Sequence, residues 1–171
     1  MSQGKTQLTK DCEYAIFEAV KAYGLGVYGG FEVSIGKGYG KERVDFITMN
    51  VKREFRCYEV KVSKSDFKSK CALSFLGDFN FYVMPIELYR TVKEFIPKEI
   101  GVYTVEYDET HSGSKIPVAH MCKTAKRNNN VDGMLLMHSM IRSLSRYETR
   151  FFMEKKKSMV VKVNEKLDSQ N

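Results

Sequence analysis

The feature that most constrains this chain is a pair of neighbouring apolar runs with charge inside them. The first is Arg43-Val44-Asp45-Phe46, continuing through Ile47, Thr48 and Met49; the second runs over 55–62 and contains Tyr58-Glu59-Val60-Lys61-Val62. Both have the composition of strands, and a covered strand rarely carries acids or a lysine unless they are paired or used. Side chains alternate along a strand, so Glu59 and Lys61 share a face with Phe55 and Cys57. Tyr58, Val60 and Val62 then point the other way, into a core. If the two strands pair, Asp45 comes beside Glu59. Two carboxylates and an ammonium on one rim form a magnesium site with a charge stabiliser next to it.

The rest of the chain falls into order around this pair. Thr9 is placed to cap a helix through Tyr23, with Cys12, Ala15, Ile16, Ala19, Val20 and Tyr23 on one stripe. A strand over 31–35 leads to a glycine- and lysine-rich segment over 36–41. That segment lacks the GxxxxGK[ST] phosphate-loop pattern and reads as a hairpin turn. Strands over 43–49 and 55–62 follow. Ser65 can cap a helix to about Phe75 that buries Phe67, Cys71 and Phe75. Next come a strand over 79–84 and a helix from Pro85 with Ile86, Tyr89, Val92 and Phe95 inward, stopped at Pro97. A strand over 101–107, a polar loop over 108–115 and a short strand over 116–121 complete the middle. The asparagines at 128–130 can cap a last helix over 131–147, with Val131, Met134, Leu135, His138 and Ile141 on its stripe. The end, 164–171, reads as a frayed tail. This order predicts an α/β fold with a small mixed central sheet flanked by helices, in one domain over 1–163.

Composition narrows the class of partner. The formal net charge is +7 over 171 residues, with a pI near 9.1, which points to a polyanion, most simply nucleic acid. Cys12, Cys57, Cys71 and Cys122 are scattered, with no CxxC pair. They read as reduced, mostly packed thiols of a cytoplasmic protein, not as a disulfide frame or a zinc site. The polar start, MSQGKTQLTK, lacks the apolar core of a signal peptide, and no run approaches membrane-spanning length. His111 and His120 have no partner pattern, and His138 reads as a core histidine. Tyr14 and Tyr39 read as packing residues. The run Lys155-Lys156-Lys157 is either a nucleic-acid tail or ordinary solvation.

Asp45 followed, after a strand-sized gap, by Glu59-Val60-Lys61 resembles the PD-(D/E)xK nucleases, whose fold is the restriction-endonuclease-like core. The wider stretch from Arg43 to Tyr103 is similar to MmcB-like DNA repair proteins and related phage proteins. The matching residues are Glu59 to Ser63, Ser63 to Phe67, Phe81 to Pro85 and Gly101 to Tyr103, with a later basic piece at 123–127. The chain departs from the superfamily's pattern in having Val44, not proline, before Asp45. Glu154-Lys155-Lys156 also spells ExK but has no strand around it, so context carries the resemblance rather than the three letters.

The resemblance implies a metal-dependent nuclease that hydrolyses DNA phosphodiester bonds in repair, recombination or phage biology. Asp45 and Glu59 would hold Mg2+ or Mn2+, with the Val60 carbonyl as a further ligand and Lys61 as the catalytic cation. Glu13 falls where the superfamily's first-helix acid would lie, with Asp11 as the competing choice. Lys64, Lys68 and Lys70 follow the motif and are placed to grip DNA phosphates. A homodimer is the corresponding expectation for an enzyme that cuts both strands. Two rival readings stand beside this one: a non-catalytic basic DNA-binding module on the same fold, and a protein whose basic face meets an acidic partner.

Overall fold

The computed structural model describes residues 5–21, 26–36, 42–69, 75–110 and 113–168, with 157–168 as backbone alone. In chain order the elements are α1 (Gln7–Lys21), β1 (Val27–Ile35), β2 (Glu42–Asn50), β3 (Phe55–Val60), α2 (Lys64–Lys68), β4 (Phe79–Pro85), α3 (Ile86–Val92), β5 (Gly101–Glu109), β6 (Lys115–Lys123) and α4 (Gly133–Asp168). A 3-10 turn, Lys93–Phe95, extends α3.

The strands form one six-stranded mixed sheet in the order β1-β2-β3-β4-β5-β6. The first three make an antiparallel meander. β3, β4 and β5 run parallel, joined by crossovers that carry α2 and α3, and β6 returns antiparallel to β5. A parallel pair needs such a crossover because a tight turn can only reverse the chain.

Alternation divides the side chains between two cores. On one face Cys12, Ala15, Ile16 and Val20 of α1 pack on Phe46, Tyr58, Val60, Phe81, Val83, Tyr103 and Val105. Five rings cross this face in a row. Phe31 to Phe46, Phe46 to Tyr58, Tyr58 to Phe81 and Phe81 to Tyr103 lie 4.3, 5.5, 5.4 and 5.3 Å apart. Such pairs add about 0.5–1.5 kcal/mol each beyond their buried area, so the row strongly fixes the register of β1 to β5. Gly101 lies against this row: a Cβ there would stand 2.5 Å from the Phe81 ring, so the close approach of β5 requires glycine.

The opposite face is shared by two helices. Leu136 and Met140 of α4 cover Val33, Ile35, Val44, Ile47, Phe55 and Cys57. Leu88, Val92 and Ile96 cover Tyr82, Met84 and Val102. Layers of helix, sheet and helix result, as the sequence predicts.

Several boundaries differ for identifiable reasons. Thr9 lies inside α1, and the hydroxyl of Thr6 accepts its N–H. β1 starts at Val27 rather than 31, because Gly29 and Gly30 pair with Thr48 and Ile47 despite their weak strand preference. α2 is a five-residue helix capped by Ser63, not Ser65: the Ser63 hydroxyl accepts the Asp66 N–H at 3.1 Å. Phe67 and Phe75 do pack, on Tyr82, while Cys71 lies outside the described residues. Phe95 is 73% exposed, because the 3-10 turn shifts the phase and buries Ile96 instead. β5 runs to Glu109 and β6 starts at Lys115, so the strands take up both ends of the expected polar loop, and the Thr110 N–H donates to the Ser114 carbonyl.

The last helix shows the largest differences. Asp132, not the asparagines, caps it through the Leu135 N–H, and it continues to Asp168, past the domain end expected at 163. Its buried stripe is Leu136, Ser139 and Met140. His138 and Met134 face outward, so the core-histidine expectation is wrong by one step of phase. Tyr14, expected to pack, is exposed. Among the described residues, no helix is long and apolar enough to cross a membrane.

Candidate active site

The alternation of β2 breaks at Asp45. Val44 faces the α4 core and Phe46 the α1 core, although two positions of one regular strand should share a face. β1 breaks at the matching place. Phe31 pairs with Phe46 and Val33 with Val44, and between them Glu32 takes a left-handed backbone with φ of +53°. Glu32 and Asp45 therefore stand opposite one another at a twist shared by both strands. Bulges and twists of this kind re-aim a side chain, and here the re-aimed side chains are two acids.

The next strand meets this twist. Tyr58 pairs with Phe46, so Glu59 falls beside Asp45. Asp45 Oδ2 accepts the Val60 N–H at 2.9 Å, which ties the acid to the end of β3. Lys61 lies just past that end, and its N–H continues the sheet by donating to the Val83 carbonyl. Its side chain is 5% accessible, and Nζ lies 3.5 Å from Glu59 Oε1 and 3.6 Å from Asp66 Oδ1. The three residues that the sequence singled out are thus brought together.

Burial sets the protonation of the acids. Glu59 is 7% exposed, and Oε2 has no hydrogen-bond partner. Burial, and then the nearby charge of Asp45, push its carboxyl up to about 7, against the pull of Lys61. The Asp45 carboxyl is also raised, first by burial, while the Val60 N–H, Lys61 and Lys5 oppose the rise and Glu32 adds to it. Burial and Glu59 push the neighbouring Tyr82 phenol up to about 12. Burial therefore favours the protonated forms of both acids against the pull of Lys61.

A metal-binding reading can be tested on these atoms. Two hard oxygen donors side by side, one of them buried without a partner, suit Mg2+ or Mn2+. Among the described residues no three His, Cys, Asp or Glu side chains converge as a ready cage. The backbone carbonyl of Val60 remains a proposed ligand; the contact seen at Val60 is that of its N–H with Asp45.

The competing acids of α1 separate clearly. Asp11 accepts the Tyr107 hydroxyl at 2.6 Å and a Gln7 amide N–H at 2.8 Å, so it belongs to the β5–β6 side. Glu13 is joined through Lys5 to Glu32, which faces Asp45. Lys64 and Lys68 are exposed on α2, immediately after Lys61, while Lys70 lies outside the described residues. His111 and Tyr39 also lie outside them, and His120 is exposed. Glu154, Lys155 and Lys156 sit exposed on α4, away from any strand.

Three participants escaped the sequence reading. Asp66 holds both Lys61 and the Val62 N–H, the latter at 3.1 Å. The signal for it was Ser63 followed three residues on by an acid, a capping-box spacing. Glu32 had no signal, because Phe31-Glu32-Val33 reads as plain alternation. Lys5 lay in a polar stretch with no periodicity.

A cleft of about 410 Å3 opens beside Val62 at the carboxyl ends of β4 and β5, lined by Leu8, Pro85, Arg90 and Tyr107 among others. Crevices at the carboxyl ends of parallel strands are the usual ligand sites of open α/β sheets.

No family model matches the chain, and no curated protein matches it. Among solved structures it is similar to the SPO1766 protein of unknown function from Silicibacter pomeroyi, with a TM-score of 0.63 and 17% sequence identity. The match covers 90% of this chain and 94% of that one. At that identity the likeness is one of fold.

Proposed function

We propose that the chain is a metal-dependent nuclease of the PD-(D/E)xK class, built on a restriction-endonuclease-like core and acting on DNA. The observation that carries this reading is the convergence of Asp45, Glu59 and Lys61 where β2 meets the end of β3, with one Glu59 oxygen buried and unpartnered. The meander followed by a parallel β4 supports it. Asp45 and Glu59 are the residues that would hold Mg2+ or Mn2+. A divalent ion in such a site screens phosphate charge and lowers the pKa of bound water.

The chain's own groups supply the rest. Asp45 is oriented by the Val60 N–H, which leaves its other oxygen for a ligand. Lys61 is held by Glu59 and Asp66, and it places a buried positive charge where negative charge gathers on the phosphorus oxygens. Asp66 acts on Lys61 as a positioning residue. Lys64 and Lys68, exposed on α2 just after Lys61, would grip a phosphate backbone entering the site and give affinity without sequence readout.

Cleavage of labelled duplex and single-stranded DNA with Mg2+ or Mn2+ tests the reading. Wild type should cut; Asp45→Asn and Lys61→Ala should not, while circular dichroism shows both folded. Cleavage retained by both variants would overturn it. A second reading, a non-catalytic DNA-binding module, is favoured by the lack of a third converging ligand side chain among the described residues. It predicts salt-sensitive binding that needs no metal and leaves DNA intact.

A further inference from the structure

A second charged group lies within electrostatic reach of Asp45, and the nuclease reading assigns it no role. Lys5, just ahead of α1, ion-pairs with Glu13 of α1 and with Oε1 of Glu32 in β1. Arg43 Nε holds Glu32 Oε2 at 2.7 Å. Glu32 and Asp45 both fall between the pairs Phe31–Phe46 and Val33–Val44. Lys5 favours the charged form of Asp45 and Glu32 opposes it, so both lie within electrostatic reach of the proposed ligand. One ammonium thus joins carboxylates of α1 and β1 and lies within electrostatic reach of a third in β2.

An independent observation says that this ammonium does not complete the site. Glu59, with a side chain 9% accessible, keeps Oε2 without a partner and is repelled by Asp45. Lys5 balances the outer acids, while Glu59 has Lys61 on Oε1 and nothing on Oε2. The Lys5 side chain is 37% accessible, so it can withdraw into water. A hydrated point charge on a flexible stem is readily exchanged, whereas a divalent ion prefers several carboxylate oxygens at once.

We propose that Lys5 is a tethered counter-cation of the metal site: a divalent ion displaces it, and Glu32 then joins Asp45 and Glu59 around that ion. Arg43 retains Glu32 Oε2, and the departure of Lys5 frees Oε1. This rests on the metal-dependent reading above and adds Glu32 as a site residue and the N-terminal segment as a competitor for the metal.

The test is Mn2+ binding by the full chain, read from the electron paramagnetic resonance signal of free Mn2+. Wild type is compared with Lys5→Met, Lys5→Arg and Glu32→Gln. Lys5→Met should bind about tenfold more tightly, since it removes a like charge next to the ion. Lys5→Arg should stay near wild type, and Glu32→Gln should bind about tenfold more weakly. Lys5→Gln carries the same expectation as Lys5→Met and replaces it if that variant does not fold. Binding by Lys5→Met but not by wild type would also support the proposal. Equal affinities for wild type and Lys5→Met would overturn the lysine exchange and leave the nuclease reading standing, as would tightening by Lys5→Arg. No Mn2+ on any variant would overturn both.

Discussion

The two ends of β3 each gather charge, and they do so in opposite ways. At its start, Arg127 bridges Glu54 at 2.8 Å and Asp78 at 2.9 Å, with its guanidinium 5.5 Å from the Phe79 ring centre. Asp78 also accepts the Phe55 N–H at 2.8 Å. Hydrogen bonds from Asn50 and Arg127 hold the Glu54 carboxyl below its ordinary value. At the other end, Glu59 is raised to about 7, and one of its oxygens has no partner. One cluster is paired and exposed to water; the other is buried and keeps one carboxylate oxygen without a partner. Acids fully paired at one end of a strand and left with a buried, unpartnered oxygen at the other are the contrast that the proposed site requires. Perturbed carboxylates gather at such sites for this reason.

If the contrast is functional, substitutions at the two ends should separate cleanly. The largest effect falls on catalysis: Asp45→Asn or Lys61→Ala should lower the cleavage rate by about a thousandfold or more, the scale of removing a central charge stabiliser. Asp78→Ala should leave the rate per folded molecule near wild type. A nuclease assay normalised to folded protein decides this, and equal losses at both ends would erase the distinction.

The metal-free protein should also show the contrast in its pH dependence. Glu59 releases its proton near 4.5 when unfolded but near 7 when folded. The folded state binds more protons in that window, so stability falls as pH rises from about 4.5 to about 7, by up to about 3 kcal/mol. Asp45, also raised, adds to the same trend. Urea unfolding across this range should show the fall in wild type and a shallower one in Glu59→Gln. A flat wild-type profile would mean that Glu59 is better satisfied than its geometry indicates.

Smaller effects complete the comparison. Asp78→Ala leaves the Phe55 N–H unpaired and should cost about 2 kcal/mol in urea unfolding, with the midpoint lowered and the slope unchanged. Lys64→Ala and Lys68→Ala should each weaken DNA binding a few-fold and reduce the salt slope by about one unit, whatever the sequence bound. Fluorescence anisotropy over a salt series reads both.

How far the sequence carries this account depends on the kind of signal each residue leaves. Asp45, Glu59 and Lys61 were legible because charge inside a strand contradicts its surroundings, and pairing of the strands had to bring them together. The mixed sheet was legible from the alternation of apolar runs and helix stripes. Glu32 was not, since a left-handed residue reverses the facing of its neighbours without changing their composition. Lys5 joins the site through tertiary contacts alone, with no periodic pattern to mark it. α4 was found but misphased at His138, because Met and Leu at 134–137 offer apolar residues in every direction. Its length was missed because its outer part, with Tyr147, Phe151 and Phe152 exposed, has no single buried face to extrapolate.

The measurement that bears most directly on the central claim is calorimetric titration of Mg2+ into wild type and Asp45→Asn, each in complex with a nuclease-resistant DNA duplex. The account predicts a saturable binding heat for wild type that is lost in the variant. Identical titrations would contradict it: heat in both would place the ion away from Asp45, and heat in neither would leave no ion at all.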